Sequence, residues 1–263
     1  MLVVPSPADG TRPDGGAPGS SAIGFGRRLR VALARRTILL AAGDRVVSGP
    51  FRGMHWAHPS PMPYVLGTHE LELRPWIDRL VAMQPDRIVN VGAADGYFAT
   101  GLALRVPAAR VIAFEMEPGA QERCLAVARA NGIEARLTML GLCTADALAS
   151  ALEGARNPVV VIDIEGGEIE VLDPLAVPAL QQATILVETH DLLRDGCAAT
   201  VRQRFSTSHD IESVHSRKRS PADFPREFLP WLQRTAPDYC GAFVWEERGP
   251  GQEWLLLTPR AAT

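Results

Sequence analysis

Acidic residues and one histidine are concentrated in two short stretches, and their types fit acid–base or metal chemistry. Three carboxylates, Asp163, Glu165 and Glu168, lie within six residues of one another in the stretch "VIDIEGGEIEVL". Like charges this close are costly unless a partner, a proton or a metal ion offsets them. The second stretch, "TILVETHD", contains Glu188 and His190. Because the unperturbed pKa of histidine lies near neutrality, His190 is a candidate general base.

We expect His190, Asp163 and Glu165 to be catalytic, with His190 or Asp163 as the base. A structural alternative stays open for Glu165 and Glu168, since acids in the first turn of a helix are stabilised by its dipole. Oxygen and imidazole ligands from Asp163, Glu188 and His190 would suit magnesium or manganese. The spacing does not demand a divalent metal, so we assign no metal ligand.

A turn of small residues in "RIVNVGAADGYFATGLAL" separates an apolar run from a helix-compatible segment. Small residues let a ligand approach the backbone closely, and the first N–H groups of the following helix favour polar ligand atoms. The turn lacks the G-x-G-x-x-G pattern of dinucleotide-binding folds. It fits the looser D/E-x-G-x-G-x-G pattern of S-adenosylmethionine-dependent methyltransferases, with Asn90 at the acidic position. The remaining pattern positions are Gly92, Ala94 and Gly96.

A carboxylate follows the next apolar run, at Glu115 in "VIAFEMEP". In this position a carboxylate accepts hydrogen bonds from both ribose hydroxyls of a bound nucleoside. NAD enzymes use the same arrangement, so Glu115 indicates an adenosine ligand more than methyl transfer. Glu117 competes for the role but lies further into the loop, and a solvent-facing acid at a strand end is the structural alternative.

Short apolar runs alternate with helical stretches from residue 87 onward, the last of these stretches being 167–182. The runs are 87–91, 110–114, 136–140, 158–163 and 183–188. Strands that are apolar along their whole length are typical of a parallel sheet buried on both faces. Strand–helix alternation predicts a doubly wound α/β sheet. Two further strands are predicted at "DIESVHSR" and "EWLLLTP".

The region before this sheet divides by composition. Apolar residues and arginines interleave at helical spacing in 22–42, which predicts a basic amphipathic helix that caps the domain. Weak contact of this helix with an anionic membrane surface is the alternative. Residues 68–84 predict a second helix. We therefore expect a disordered tail (1–21), a helical and irregular extension (22–84) and an α/β domain (85–263).

Composition argues against several classes of protein. The formal net charge of −3 gives no basic field for nucleic acid. The four cysteines form no C-x-x-C pair or zinc pattern, which is typical of buried thiols in a reducing cytosol. No run approaches the roughly 18 apolar residues of a membrane span. No secretory signal begins the chain, so we expect a cytoplasmic protein. Lys218 is the single lysine, which hints at a GC-rich bacterial source.

Four motifs, in this order and spacing, resemble the FkbM-type methyltransferases, a branch of the class I S-adenosylmethionine-dependent enzymes. They are "IVNVGAADGYFA", "VIAFEMEP", "VVVIDIEGGEIEVL" and "ILVETHD". The resemblance covers about residues 64–192, including the lead-in "YVLGTHELEL". Its most specific element is D-x-E-G-x-E, which Asp163, Glu165, Gly166 and Glu168 match.

The resemblance implies a Rossmann-like, mostly parallel seven-stranded sheet and methyl transfer to a hydroxyl of a sugar, polysaccharide or natural product. It implies a cofactor site formed by Asn90, Gly92, Ala93, Asp95, Gly96, Glu115, Met116 and Asp163, with Leu142 and Cys143 beside the adenine. Asn90 replaces the usual acid, so contact with the cofactor ammonium is weaker or supplied elsewhere. Ala94 replaces the middle glycine, which is a milder departure.

Rival functions stay open at this point. A nicotinamide-dependent oxidoreductase is disfavoured because G-x-G-x-x-G and a Tyr-x-x-x-Lys pair are both missing. A catalytically inactive binding or scaffold protein with a methyltransferase fold is kept open by Asn90. Methylation of nucleic acid lacks an N/D-P-P-Y/F signature, because the loop after the fourth strand reads "DIEGGE". The acceptor and the oligomeric state are not indicated by the sequence.

Overall fold

The computed structural model of this protein describes residues 20–56, 58, 61–246 and 251–260. The predicted disordered tail lies outside these residues as far as residue 19. The first helix begins at Ser20, two residues inside the segment predicted to be disordered. Among the described residues, no helix combines the length and apolar character needed to cross a membrane.

The described residues form one seven-stranded sheet with the strand order β3-β2-β1-β4-β5-β7-β6. The strands are β1 (Arg87–Val91), β2 (Arg110–Phe114), β3 (Leu137–Leu140), β4 (Pro158–Ile162), β5 (Thr184–Thr189), β6 (His209–His215) and β7 (Glu253–Pro259). Strands β1 to β5 pair in parallel, and β7 runs antiparallel to both β5 and β6. The predicted doubly wound, mostly parallel sheet of the class I methyltransferase type is confirmed.

The described residues form ten α-helices, which lie between the strands in sequence or in the segment before the first strand. They are α1 (Ser20–Ala42), α2 (Met62–Leu66), α3 (Arg74–Ala82), α4 (Tyr97–Arg105), α5 (Pro118–Ala130), α6 (Ala145–Leu152), α7 (Glu168–Val171), α8 (Cys197–Phe205), α9 (Pro230–Thr235) and α10 (Pro237–Phe243). Helices α3, α4 and α5 cover one face of the sheet, and α6 and α8 cover the other. Since β4 is buried at every position, its all-apolar sequence PVVVI follows from this double cover.

Two predicted helices are shorter than expected. In 68–84, the α-helix begins only at Arg74, after a 3-10 turn at Leu71–Leu73. In 167–182, helix α7 ends at Val171 and a 3-10 turn follows at Pro178–Gln182. Pro174 and Pro178 lack a backbone N–H and cannot continue an α-helix, and this accounts for the second difference.

The N-terminal extension packs onto the rest of the fold. Ala34 and Ile38 of α1 join a hydrophobic cluster with residues of α2, α9 and α10, which include the buried Phe243. Phe51 and Trp56 lie in the same core as β1. Helix α1 therefore covers the segment that follows β6, as its amphipathic sequence predicted. The four cysteines are free and buried, which agrees with the expectation from their spacing.

Candidate active site

The predicted turn after β1 is held against two neighbouring strands. The N–H groups of Gly92 and Ala93 both donate to the carbonyl oxygen of Phe114 at 2.9 Å. Gly92 has φ +77°, and a Cβ atom there would overlap the backbone carbonyl of Asp163. Ala94 has φ +46°, a region that costs an L-residue roughly 1–2 kcal/mol. The missing middle glycine is therefore tolerated at a modest cost in strain.

Gly92→Ala is expected to destabilise the protein by about 2–4 kcal/mol, because positive φ and overlap with Asp163 act together. Gly43 is a matched control, since it has φ +65° and a Cβ atom there would meet no other atom within 4 Å. Gly43→Ala should lower the free energy of unfolding by only about 1–2 kcal/mol, the cost of placing an L-residue at positive φ. Urea unfolding of the two variants measures both values. Equal losses would show that the contact with Asp163 is unimportant.

Glu115 lies immediately after β2, and backbone N–H groups fix its carboxylate in place. One oxygen accepts from the N–H of Ala94 at 2.8 Å, and the other accepts from the N–H of Glu117 at 2.9 Å. Each carboxylate oxygen keeps a further lone pair, because an ionised carboxylate offers about four acceptor sites. Glu115 therefore links the turn to β2 and still presents acceptors to a ligand.

A cavity of about 450 Å³ opens beside Glu115 at the carboxyl ends of β1, β2 and β4. The predicted site residues that line it are Gly92, Glu115, Met116, Leu142, Cys143, Asp163 and Glu165. Met116 and Leu142 are 69% and 62% exposed, which is high for large apolar side chains flanking a cavity. An apolar, planar ligand group between them would remove this surface from water.

Four residues predicted to bind the cofactor do not line this cavity. Asn90 is buried in β1 and its Nδ2 donates to the carbonyl oxygen of Val161 at 3.4 Å. Asp95 pairs with Arg123 at 2.7 Å. Ala93 is buried, and Gly96 packs against Cys124. Their contribution to binding stays a prediction, and the structure gives them a part in holding the turn.

His190 is buried beyond the end of β5, and Glu168 fixes the orientation of its ring. Its Nδ1 lies 2.7 Å from Oε1 of Glu168, the first residue of α7. Glu168 is fully buried, and its Oε1 also accepts from the N–H of Gly166 at 3.1 Å. The thiol of Cys197 contacts the other oxygen at 3.5 Å. Glu168 is therefore well placed to hold a proton on Nδ1 and leave Nε2 facing Asp163, Glu165 and Glu188.

Three carboxylates surround the Nε2 atom of His190. Oxygens of Asp163, Glu188 and Glu165 lie 3.5, 3.9 and 4.0 Å from it. Asp163 and Glu165 line the cavity, whereas Glu188 is fully buried in β5. The two chemical stretches identified in the sequence therefore meet at one point, next to the cavity wall.

The carboxylates around His190 control its protonation. Burial by itself would lower the pKa of His190, but the hydrogen bond to Glu168 and the charges of Glu188, Glu168 and Asp163 raise it to about 9. Burial would raise the pKa of Glu168, but the hydrogen bond from His190 and backbone N–H groups hold it below its usual value. At neutral pH the imidazolium therefore offsets the crowded carboxylates.

A divalent ion would offset the same charges. One ligand atom from each of Asp163, Glu165 and His190 lies within 4.8 Å of the others. One imidazole and two carboxylates suit manganese better than magnesium, which prefers oxygen ligands throughout. The optional metal considered from the sequence therefore stays optional, and the structure groups Glu165, in place of the expected Glu188, with Asp163 and His190.

Sequence reasoning missed the part that Glu168 plays. The residue was recognised within D-x-E-G-x-E as one of three crowded carboxylates, with the helix dipole as the structural alternative, but no contact with His190 was predicted. Its partner His190 lies 22 residues away, and Cys197 lies 29 residues away. Only the adjacency of β4 and β5 brings these residues together, so no local pattern in the sequence marks Cys197.

Comparison with known proteins gives distant likenesses only. No family model matches the chain, and no curated protein matches it. Among solved structures, an O-methyltransferase from Bacillus cereus in complex with S-adenosylhomocysteine is 10% identical, with a TM-score of 0.48, over 72% of this chain and 81% of that one.

Two further structures are similarly remote. The O-methyltransferase TomG from Streptomyces achromogenes, in complex with S-adenosylmethionine, is 16% identical with a TM-score of 0.45, over 70% of this chain and 80% of that one. A precorrin-6y C5,15-methyltransferase from Geobacter metallireducens is 9% identical with a TM-score of 0.46, over 70% and 88%. Because these likenesses are distant, we assign the fold from the strand order and infer function from the site residues.

Proposed function

We propose that the protein is an S-adenosylmethionine-dependent methyltransferase that methylates a hydroxyl oxygen of a small molecule or glycan. One observation carries the proposal. A cavity is lined by the backbone-fixed carboxylate of Glu115 and by Asp163, whose carboxylate lies 3.5 Å from Nε2 of His190. The carboxylate proposed to bind the nucleoside therefore borders the same space as Asp163, and the candidate base His190 lies next to Asp163, outside the cavity wall.

The cavity suits the proposed cofactor, which supplies the methyl group as a sulfonium. The free lone pairs of Glu115 are acceptors for two ribose hydroxyls. Met116, Leu142 and Cys143 provide apolar surface for an adenine ring. The volume of about 450 Å³ falls within the range of roughly 300–1,000 Å³ that small-molecule sites occupy.

We assign the role of general base to His190. When the imidazole is neutral, the hydrogen bond from Nδ1–H to Glu168 leaves the lone pair on Nε2, where it accepts the proton of an acceptor hydroxyl. Asp163 lies 3.5 Å from Nε2 and is the second candidate for this role. Glu165, also at the cavity wall, adds negative charge near the reacting centre.

The finer assignment to the FkbM-type branch is supported by D-x-E-G-x-E. In this chain the motif supplies Asp163 and Glu165 to the cleft and Glu168 to His190. We propose that the protein acts in the cytoplasm on hydroxylated compounds and not on nucleic acid, consistent with its net charge of −3. Exposed Leu29, Leu33 and Leu40 on the basic helix α1 support weak contact with an anionic membrane surface.

Glu115→Gln is expected to weaken binding of S-adenosylmethionine by about tenfold or more. Hydrogen bonds to a charged group contribute roughly 1.5–3 kcal/mol, and the amide retains only one acceptor oxygen. Isothermal titration with S-adenosylmethionine and S-adenosylhomocysteine measures the loss. Glu122→Ala on α5 is the control, since Glu122 is exposed and outside the cavity.

Absence of binding by the unmodified protein would contradict the proposed function. A second candidate, a catalytically inactive protein with this fold, is favoured by one observation. Asn90 stands where an acid is usual. Its side chain is neutral, is buried in the strand and donates to Val161, so this position supplies no charge to the cavity. Cofactor binding without formation of S-adenosylhomocysteine, across a panel of hydroxylated acceptors, would support that candidate.

A further inference from the structure

A second group of ligand-type side chains lies outside the candidate active site. His69 and Glu70 belong to the turn before α3, and Glu246 follows α10. One ligand atom from each lies within 4.8 Å of the other two, and Nδ1 of His69 is 3.8 Å from Oε2 of Glu246. The Glu70 side chain is buried and those of His69 and Glu246 are 8% exposed. We call these three residues the second cluster.

We propose that the second cluster is a binding site for one divalent transition-metal ion, with zinc as the best fit. Imidazole nitrogen and carboxylate oxygen are both zinc ligands. A ligand set that includes imidazole disfavours magnesium and calcium, which prefer oxygen ligands throughout. This site is separate from the proposed methyl transfer and does not depend on it.

Charged side chains of both signs surround the second cluster. Glu72 and Glu246 both pair with Arg219. Its Nη2 donates to Oε2 of Glu72 at 2.8 Å, and its Nε donates to Oε1 of Glu246 at 2.8 Å. Arg74 is a second nearby cation, and its guanidinium donates to the carbonyl oxygen of Gly67. Within the described part of the chain, carboxylates and guanidinium groups therefore lie close together in a largely buried region.

The two carboxylate oxygens of Glu246 contact different groups, and this arrangement favours a metal ion. Arg219 contacts Oε1 of this carboxylate, whereas Oε2 is the oxygen that faces His69. Oε2 also accepts from the backbone N–H of Glu70 at 3.4 Å, a long contact. Coordination through Oε2 would therefore leave the ion pair with Arg219 in place.

An independent observation at the same place points to a ligand. Tyr97 is 3% exposed, and its hydroxyl has no hydrogen-bond partner within the part of the chain that the structure describes. Its ring centroid lies 5.5 Å from that of His69. The hydroxyl of Thr68, next to His69, is also buried without a described partner. Such groups call for a bound ion or its water.

Zinc binding at the second cluster would connect three parts of the fold. It would tie the turn before α3 to the segment after α10. The ring of His69 also lies 5.8 Å from that of Phe98, which belongs to the helix that follows the Gly92 turn. We therefore expect the ion to stabilise the packing of the N-terminal extension against α4.

The test is zinc titration of the untagged, metal-stripped full chain by calorimetry, with magnesium as the comparison. We expect tight zinc binding to the unmodified protein, with weaker binding of magnesium by a factor of at least about 100. His69→Ala should weaken this zinc binding by at least about tenfold, and zinc should no longer raise Tm. His190→Gln and the exposed His215→Gln should keep the tight site.

Zinc affinity unchanged in His69→Ala, or tight binding lost only in His190→Gln, would overturn the proposal. The second result would place the ion in the active-site cleft. Absence of zinc binding by the unmodified protein would also overturn it. If His69→Ala fails to fold, Glu246→Gln provides the same test, because its amide oxygen still accepts from Arg219.

Discussion

His190→Ala is expected to lower the rate of methyl transfer by a factor of about 10²–10⁴ while cofactor affinity stays nearly unchanged. A positioned general base contributes this range of acceleration. His190 lies outside the wall of the cavity proposed for the cofactor, so removing its ring should spare binding. Formation of S-adenosylhomocysteine with an active acceptor measures the rate, and calorimetry measures the affinity.

Asp163→Ala is the companion variant, because Asp163 is the second candidate base. If His190 is the base, Asp163→Ala should reduce the rate less than His190→Ala does. Circular dichroism and thermal unfolding establish that each variant is folded. Unchanged turnover in both folded variants would remove both residues as bases.

The dependence on pH separates a base from a structural histidine. Because the pKa of His190 is about 9 and the neutral ring is the active form, kcat/KM should rise as the pH increases through about 9. Glu168→Gln removes the hydrogen-bonded charge that helps to raise this pKa, so the rise should move to lower pH. The remaining charges of Asp163, Glu165 and Glu188 face the same ring and limit the shift.

Glu168→Gln should also lower the maximal rate, since an amide orients the imidazole less firmly than a carboxylate. NMR titration of the His190 ring measures its pKa without an acceptor. A pH profile identical in the unmodified protein and Glu168→Gln would show that this pair does not govern the reaction.

The sheet was predictable because its signal is local. Strands such as PVVVI in β4 are apolar at every position, and only a sheet covered on both faces buries them. The predicted helix over 167–182 was too long, because its apolar pattern was interpreted as continuous although Pro174 and Pro178 interrupt it. Pro75 lies in the first turn of α3, where proline is tolerated, and this agrees with a helix that begins at Arg74 and not at residue 68.

The site was predictable only in part, because the ends of strands can be located from the sequence whereas the partners of side chains cannot. Glu115 and Asp163 follow strands whose ends must meet at one edge of a parallel sheet, so strand order alone places them at a common cleft. Asp95 lies in the same turn, but its ion pair with Arg123 turns it towards α5. Side-chain partners of this kind depend on which helix packs alongside, which motif spacing does not encode.

Arg219→Ala is expected to destabilise the protein by about 3–5 kcal/mol, the largest stability effect that we predict. The Arg219 side chain is 3% exposed and pairs with the buried carboxylates of Glu72 and Glu246. Removing one partner of a buried ion pair leaves uncompensated charge in a poorly solvated place. Urea unfolding at neutral pH measures the loss. Arg79→Ala is the control, since Arg79 and Glu212 are half exposed and should contribute about 0–1 kcal/mol.

The effect of Arg219→Ala should shrink as the pH falls. Burial would raise the pKa of Glu72, but the hydrogen bond from Arg219 and backbone contacts hold it below the ordinary value of 4.5. A carboxyl whose folded pKa is depressed contributes stability above its unfolded pKa and loses it as the pH drops through the folded value. The unmodified protein therefore loses this contribution below about pH 4.5, whereas the variant has little of it to lose. A destabilisation that stays constant from pH 7 down to about pH 2–3, well below the ordinary pKa of 4.5, would mean that packing of the Arg219 side chain, and not its charge, supports the region.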